Sequence, residues 1–93
     1  MTREQLIERN DTLRTQFRGG KILMDTSVWH VSSQVRARAA YRMTRHFDFP
    51  KESDHDYGEF VFAGYSWRWH IESFAGELFL TLSIEEDLLM EFA

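Results

Sequence analysis

Hydrophobic residues follow a helical spacing in the first half of the chain and alternate with polar residues in the last third. The first helical segment carries Leu6, Leu13 and Phe17. Thr2 followed by Gln5 predicts a capping box at its start, and the double glycine at 19–20 predicts its end. We therefore expect a helix from about Thr2 to Phe17, followed by a short strand at residues 21–24.

A second amphipathic helix is predicted after the turn at residues 25–27. Its apolar side chains, each four residues from the next, are Val31, Val35, Ala39, Met43 and Phe47. They would lie on one face of a helix that begins at a cap provided by Ser32 or Ser33 and ends before Pro50. The polar segment 48–58 then predicts the longest loop of the domain.

From Glu59 onwards the period of the pattern changes to two, which is typical of β-strands. The dipeptides at 63–64 and 75–76 predict tight turns between three strands, and residues 84–92 predict a final helical turn or two. The fold class is therefore α+β, with an antiparallel three- to four-stranded sheet and two helices packed on one face. We expect the order α-β-α-β-β-β with a short acidic tail, as a single domain over residues 1–93.

The amino-acid composition indicates the cellular compartment and excludes some classes of protein. The chain has 93 residues and no cysteine, which excludes disulfides, thiolate metal sites and thiol nucleophiles and is typical of the cytoplasm. The first ten residues have no apolar stretch, and no apolar run approaches the roughly 20 residues of a membrane helix, so we expect neither export nor membrane insertion. The three Trp, including Trp29, and the eight Phe are expected to form much of the core.

Charge is distributed unevenly along the chain. Residues 1–46 contain nine Lys or Arg and four Asp or Glu, whereas residues 47–93 contain two and eleven, which gives +5 and −9 and a net charge of −4. The two halves would either attract each other within the fold or attract charged partners.

Several fragments, spread over about residues 9–74, resemble a bacterial domain-of-unknown-function family, number 3768. They are Arg9-Asn10-Asp11 with Leu13-Arg14, Gly19-Gly20 before a strand ending in Thr26, Phe47-Asp48-Phe49, Asp54-His55-Asp56-Tyr57-Gly58 and Trp69-His70-Ile71-Glu72. The acidic end at 85–91 departs from the longer apolar and basic terminal helix of that family. The resemblance implies no catalytic residue, because the family has no settled activity; it implies a setting among plasmid and other mobile-element genes.

The run Asp54-His55-Asp56 is the strongest candidate for chemistry, with Asp48 and Glu52 as extra carboxylates for a metal ion. Adjacent residues seldom converge on one ion, so Asx turns that stabilise the loop are the favoured interpretation. A polar row containing His70 and Glu72 is expected on the solvated face of the sheet. With no catalytic motif among its residues, the sequence predicts a protein without enzymatic activity, cofactor or metal.

Three functional hypotheses follow, and the first is a phage- or mobile-element-type inhibitor of a bacterial nucleic-acid-handling defence complex. Such an anti-CRISPR or anti-restriction protein would occlude a basic surface of a protein or protein–nucleic-acid complex. Its contact residues would be Asp48, Glu52, Asp54, Asp56, Glu85, Glu86, Asp87 and Glu91. A free sheet edge would also permit a homodimer.

The second hypothesis is a small nucleic-acid-binding module that uses the arginines of helix two, with Tyr41 stacking on a base. These arginines are Arg36, Arg38, Arg42 and Arg45. The third is a metal-dependent enzyme centred on Asp54, His55 and Asp56.

Overall fold

The computed structural model of this protein describes residues 1–88. Its elements are α1 (Arg3–Gln16), β1 (Gly20–Met24), a 3₁₀ helix (Thr26–His30), α2 (Ser33–Thr44), β2 (Tyr57–Phe62), β3 (Tyr65–Phe74) and β4 (Glu77–Asp87). The α+β class and the order α-β-α-β-β-β are confirmed, and the 3₁₀ helix was not predicted. In this described part of the chain, no helix has the length and apolar character needed to cross a membrane.

The caps predicted at the N-termini of the two helices are confirmed. Thr2 and Gln5 form the capping box, in which the Gln5 N–H donates to the Thr2 hydroxyl at 3.1 Å and the Thr2 N–H donates back to the Gln5 side chain. Ser32 caps α2 by accepting from the Val35 N–H. Phe47, which the pattern placed on the buried face of helix two, lies beyond the end of α2 and is exposed.

The sheet has the strand order β1-β4-β3-β2 and is mixed, which corrects the prediction of a purely antiparallel sheet. The meander of β2, β3 and β4 is antiparallel as predicted, but β1 pairs with β4 in parallel. The direction of β1 relative to β4 depends on pairing between segments far apart in the sequence. The hydrophobic periodicity of a single segment carries no information about it. At this pairing, a Cβ on Gly20 would lie 2.5 Å from the Leu78 carbonyl oxygen, so the close approach requires glycine.

Both hairpin turns of the meander use the left-handed backbone region. Ala63 and Gly64 have φ values of 55° and 82°, and Ala75 and Gly76 have 52° and 80°. Two successive residues with positive φ are what a tight type I′ hairpin requires, because its twist matches that of the strands. The predicted turns are therefore confirmed.

The end of the described chain is a strand, which corrects the prediction of a helical segment from Ile84. β4 continues to Asp87, pairing through a register shift with Ser66 and Tyr65 at the start of β3. The exposed hydrogen-bonding groups of β3 offer this segment more partners than an isolated helical turn would have. The remainder of the predicted helix, including Glu91, lies outside the described residues.

The core lies between the two helices and one face of the sheet. Its buried side chains are Leu13, Val28, Ala39, Met43, Trp67, Trp69, Ile71, Leu78, Leu80 and Leu82. Two of the three Trp are fully buried, but Trp29 is exposed, which corrects the prediction that it packs in the core. None of the described Phe residues is in the fully buried group, which corrects the prediction that they form much of the core; Phe49, Phe60 and Phe62 pack against its edge.

Candidate functional site

The three residues of the Asp54-His55-Asp56 turn contact three different partners, two through side chains and one through the backbone. Asp54 forms an ion pair with Arg3 at 2.9 Å, while His55 binds Asp11 through Nδ1 at 2.9 Å. Asp56 is exposed, and its backbone carbonyl accepts from the Ile71 N–H. Across residues 1–88 no group of three or more His, Asp or Glu is arranged to hold a metal ion. The geometry gives the third hypothesis no support and favours a turn that anchors the loop.

His55 is held on two sides. Its ring stacks on Phe49 with centroids 4.0 Å apart and an interplanar angle of 13°, and its Nδ1 faces the Asp11 carboxylate. The backbone of His55 has a φ of 58°, supported by an N–H bond to the Ser53 hydroxyl at 3.0 Å. From α1, Asn10 reaches the same turn and donates to the Asp54 carbonyl at 2.9 Å.

Arg14 lies at the centre of this region, and its side chain is fully buried. Its guanidinium donates to the Met43 and His46 carbonyls, where α2 ends, and to the Asp11 carboxylate at 3.0 Å. The Arg14 Cζ also lies 5.1 to 5.3 Å from the ring centroids of Phe47, Phe49 and Trp69. Arg14 thus satisfies backbone carbonyls that the end of α2 leaves without a helical partner.

These contacts form a junction of α1, the end of α2 and the 48–56 loop, which we name the loop junction. It comprises Asn10, Asp11, Arg14, Phe49, Asp54, His55 and Trp69. Four of the fragments that carry the family resemblance meet in it, although they are far apart in sequence. The sequence indicated a structural role for the turn but gave no sign of the central position of Arg14.

A second feature, an open groove of about 690 Å³, runs between α2 and the edge strand β2. We name it the arginine groove; its lining residues are Arg38, Tyr41, Arg42, Arg45, His46, Phe60 and Phe62. Three of the four predicted nucleic-acid-binding arginines therefore lie in one concave surface with Tyr41. His46 and the two Phe were not predicted as site residues, because only the packing of α2 beside β2 brings them there.

The helical spacing explains how the groove forms. At 100° per residue, Arg38, Tyr41, Arg42 and Arg45 fall within an arc of roughly 100° on one flank of α2. Two of the arginines stack on aromatic rings: the Cζ of Arg42 lies 4.7 Å from the Phe62 centroid, and that of Arg45 lies 5.8 Å from the Tyr41 centroid. Such stacking holds long side chains in place and keeps their charge in the groove.

Arg36, the fourth predicted arginine, lies on the opposite flank of α2. It donates to the Val31 carbonyl at 2.7 Å, and its Cζ lies 4.9 Å from the ring centroid of the exposed Trp29. It is therefore used in a local contact and is not among the residues that line the groove.

The predicted acidic contact residues fall into two separate groups. The loop residues Asp48, Glu52 and Asp56 are exposed, whereas Asp54 is held by Arg3. Along β3, Ile71 beside the loop lies five to six residues from the partners of Glu86 and Asp87, which is about 17–20 Å at the usual strand rise. Glu85 lies nearer to the loop, because its charge adds to the Glu59 hydrogen bond in raising the pKa of Tyr57.

The members of the 85–87 group have interactions within the domain. Glu85 forms an ion pair with Arg68 at 2.6 Å, and Glu86 and Asp87 each make an interaction of their own. The predicted polar row on the uncovered sheet face is confirmed, with His70 Nε2 3.2 Å from the Glu72 carboxylate. A shallow hollow of about 320 Å³ lies over this row.

An acidic hollow of about 290 Å³ adjoins the arginine groove at His46, which lines both. Asp48, Tyr57 and Glu59 are among its lining residues. The Tyr57 hydroxyl donates to the Glu59 carboxylate, and this bond raises the pKa of Tyr57 above its ordinary value. The hollow thus places carboxylates directly beside the basic groove.

No family model, curated protein or solved structure matches this chain. The resemblance to the domain-of-unknown-function family stays a prediction.

Proposed function

We propose that this protein is a small nucleic-acid-binding domain that holds phosphates in the arginine groove. The supporting observation is the convergence of Arg38, Arg42 and Arg45 with aromatic rings from two elements in a single concave surface. Guanidinium groups bind phosphate oxygens in a planar two-point geometry, and aromatic rings stack on bases. The described residues that line the groove include no carboxylate.

The charge distribution is compatible with this role. The net charge of −4 disfavours broad contact with a polyanion, but the acidic residues named above lie outside the groove. Binding would therefore be local, confined to the groove, and would weaken as the salt concentration rises. Under this proposal the protein is a cytoplasmic domain that binds its ligand without catalysis, in line with the prediction from the sequence.

The test is fluorescence anisotropy with a labelled oligonucleotide of mixed sequence at low and moderate salt. The double variant Arg38→Glu, Arg42→Glu should abolish binding, because it places two negative charges where phosphates would bind. The matched control is Arg9→Glu, Arg18→Glu, which changes the net charge equally at two exposed positions of the α1 region.

Loss of binding only in the groove variant supports the proposal. Equal loss in both variants would attribute binding to net charge alone, and no binding by the wild-type chain at low salt would refute the proposal.

The acidic inhibitor predicted from the sequence is the second candidate. The exposed carboxylates of Asp48, Glu52 and Asp56 favour it, since they lie together in the loop that ends at the acidic hollow. A basic groove of a nuclease or targeting complex is the kind of surface that they would occlude. It ranks second because two of its predicted contact residues are already paired, Asp54 with Arg3 and Glu85 with Arg68.

This candidate is tested by affinity capture from a nuclease-treated bacterial lysate, with two charge-reversal variants. One carries Lys at Asp48, Glu52 and Asp56, and the other carries Lys at Glu85, Glu86 and Asp87. A protein captured by wild type and lost with the loop variant would support the loop surface. Unchanged capture by the second variant would remove the 85–87 segment from the hypothesis.

A further inference from the structure

We infer that the arginine groove selects single-stranded over duplex nucleic acid; this inference rests on the proposed function and specifies its ligand. The first argument comes from the aromatic side chains. Tyr41 is 63% exposed, and Phe60 and Phe62 are partly exposed in the same groove. Base faces are available for stacking only where a strand is unpaired, since a duplex covers both faces of each internal base pair.

The second argument is the arrangement of cations beside these rings. Arg45 lies against Tyr41 and Arg42 lies against Phe62, so two of the three groove arginines are adjacent to an aromatic ring. A single strand presents phosphates and bases alternately along one line. The groove likewise places arginines and aromatic rings side by side.

The third argument is the acidic border. Asp48 and Glu59 line the hollow that meets the groove at His46. A duplex laid along the groove would bring its second phosphate strand towards these carboxylates, whereas a single strand can follow the groove and stop at them. Like-charge contacts of this kind act against the wrong ligand without any loss of affinity for the right one.

The number of cations sets the expected salt dependence. Three arginines line the groove. For a single strand, the slope of log K against log salt is about −0.7 per phosphate neutralised, so the expected slope is roughly −2. A site this small should bind a short single strand with a weak salt dependence compared with that of extended duplex-binding proteins.

The experiment compares labelled ligands by anisotropy with the full chain: a mixed-sequence single strand as DNA and as RNA, the blunt duplex of the same DNA sequence, and an abasic strand of equal length. The abasic strand keeps the phosphates and removes the stacking surfaces. Tyr41→Ala is measured on each ligand. Its matched control is Phe74→Ala, which removes another exposed ring at the far hairpin of the sheet.

We expect the single strand, as DNA, RNA or both, to bind roughly tenfold or more tightly than both the duplex and the abasic strand. Tyr41→Ala should weaken single-strand binding roughly tenfold and abasic binding much less, since the abasic strand loses only the support that Tyr41 gives to Arg45. Phe74→Ala should change neither. Duplex or abasic binding as tight as single-strand binding, or no effect of Tyr41→Ala, would overturn the inference.

Failure of the inference can be distinguished from failure of the proposed function. If Arg38→Glu, Arg42→Glu abolishes binding but single strand and duplex bind equally, the groove binds phosphates without selecting strands. If no ligand binds in any arm, both the function and the inference fail.

Discussion

His55 donates from Nδ1 to the carboxylate of Asp11, 44 residues earlier, with Nδ1 2.9 Å from Oδ1 and 3.1 Å from Oδ2. The contact joins the 48–56 loop to α1 at a point where both side chains are about one-third exposed or less. This pair and the stacking of His55 on Phe49 act together with the bonds that Arg3, Asn10 and Ile71 make to the loop. The turn that carried the strongest chemical signal in the sequence therefore acts as an anchor in the fold.

The first prediction concerns this pair. In a double-mutant cycle, Asp11→Ala and His55→Ala should show a coupling of about 1 kcal/mol in the free energy of unfolding, because each removes the same hydrogen bond. Urea unfolding monitored by tryptophan fluorescence measures it. A coupling near zero would mean that the two side chains contribute independently. The cycle also corrects for the bond that Asp11 makes with Arg14.

The second prediction concerns the buried charge of Arg14. Arg14→Lys should lower the free energy of unfolding by about 2–3 kcal/mol, because an ammonium group cannot reach the α2 carbonyls and Asp11 simultaneously. The measurement is again urea unfolding. Arg18→Lys, at an exposed position just after α1, is the matched control and should change stability by less than about 0.5 kcal/mol. Equal effects at the two positions would contradict a central role for Arg14.

The third prediction concerns Gly58, the buried glycine of β2. A Cβ at this position would lie 2.5 Å from Nε1 and 2.6 Å from two ring carbons of Trp69. Gly58→Ala should therefore destabilise the protein by about 1–3 kcal/mol through overpacking of the indole. Thermal unfolding by circular dichroism provides the measurement. Ser73→Ala, at an exposed strand position, should have little effect; an equally mild Gly58→Ala would show that the edge strand moves freely away from Trp69.

The fourth prediction concerns pH and the cap of the 3₁₀ helix. The backbone N–H of Ser27, followed by its hydroxyl, donates to the Asp25 carboxylate and lowers the pKa of Asp25 below its ordinary value of 3.8. Because the folded state holds the proton less tightly than the unfolded state, the charged cap stabilises the fold above that value. The stabilisation is lost as the pH falls through the lowered pKa.

Asp25→Ala should therefore lower the midpoint of thermal unfolding at neutral pH, and its difference from wild type should shrink in acid. Asp25→Asn can still cap the helix but carries no charge, so its difference from Asp25→Ala should not depend on pH. A constant difference between wild type and Asp25→Asn from neutral to acid pH would contradict the prediction.

Local signals account for the parts of the site that lie on single elements. The spacing of Arg38, Arg42 and Arg45 on one helix put them on one flank, and the alternation of Phe60 and Phe62 put both on one strand face. The groove itself could not be predicted in this way, because it forms only when α2 packs beside β2 in the folded protein. Arg14 was missed for a similar reason: an arginine near a helix end is ordinarily a surface residue, and its burial depends on carbonyls and rings from three distant segments.

Local order in this protein is determined by the sequence alone: the capping box at Thr2, the cap at Ser32, the two hairpin turns and the alternating strands. Each of these features depends on residues only a few positions apart, so it can be predicted from residue propensity and hydrophobic periodicity. The tertiary structure decided the parallel pairing of β1 with β4, the extension of β4 to Asp87 and the burial of Arg14. These depend on long-range pairing and on competition for hydrogen-bond partners and buried volume, which no local pattern encodes.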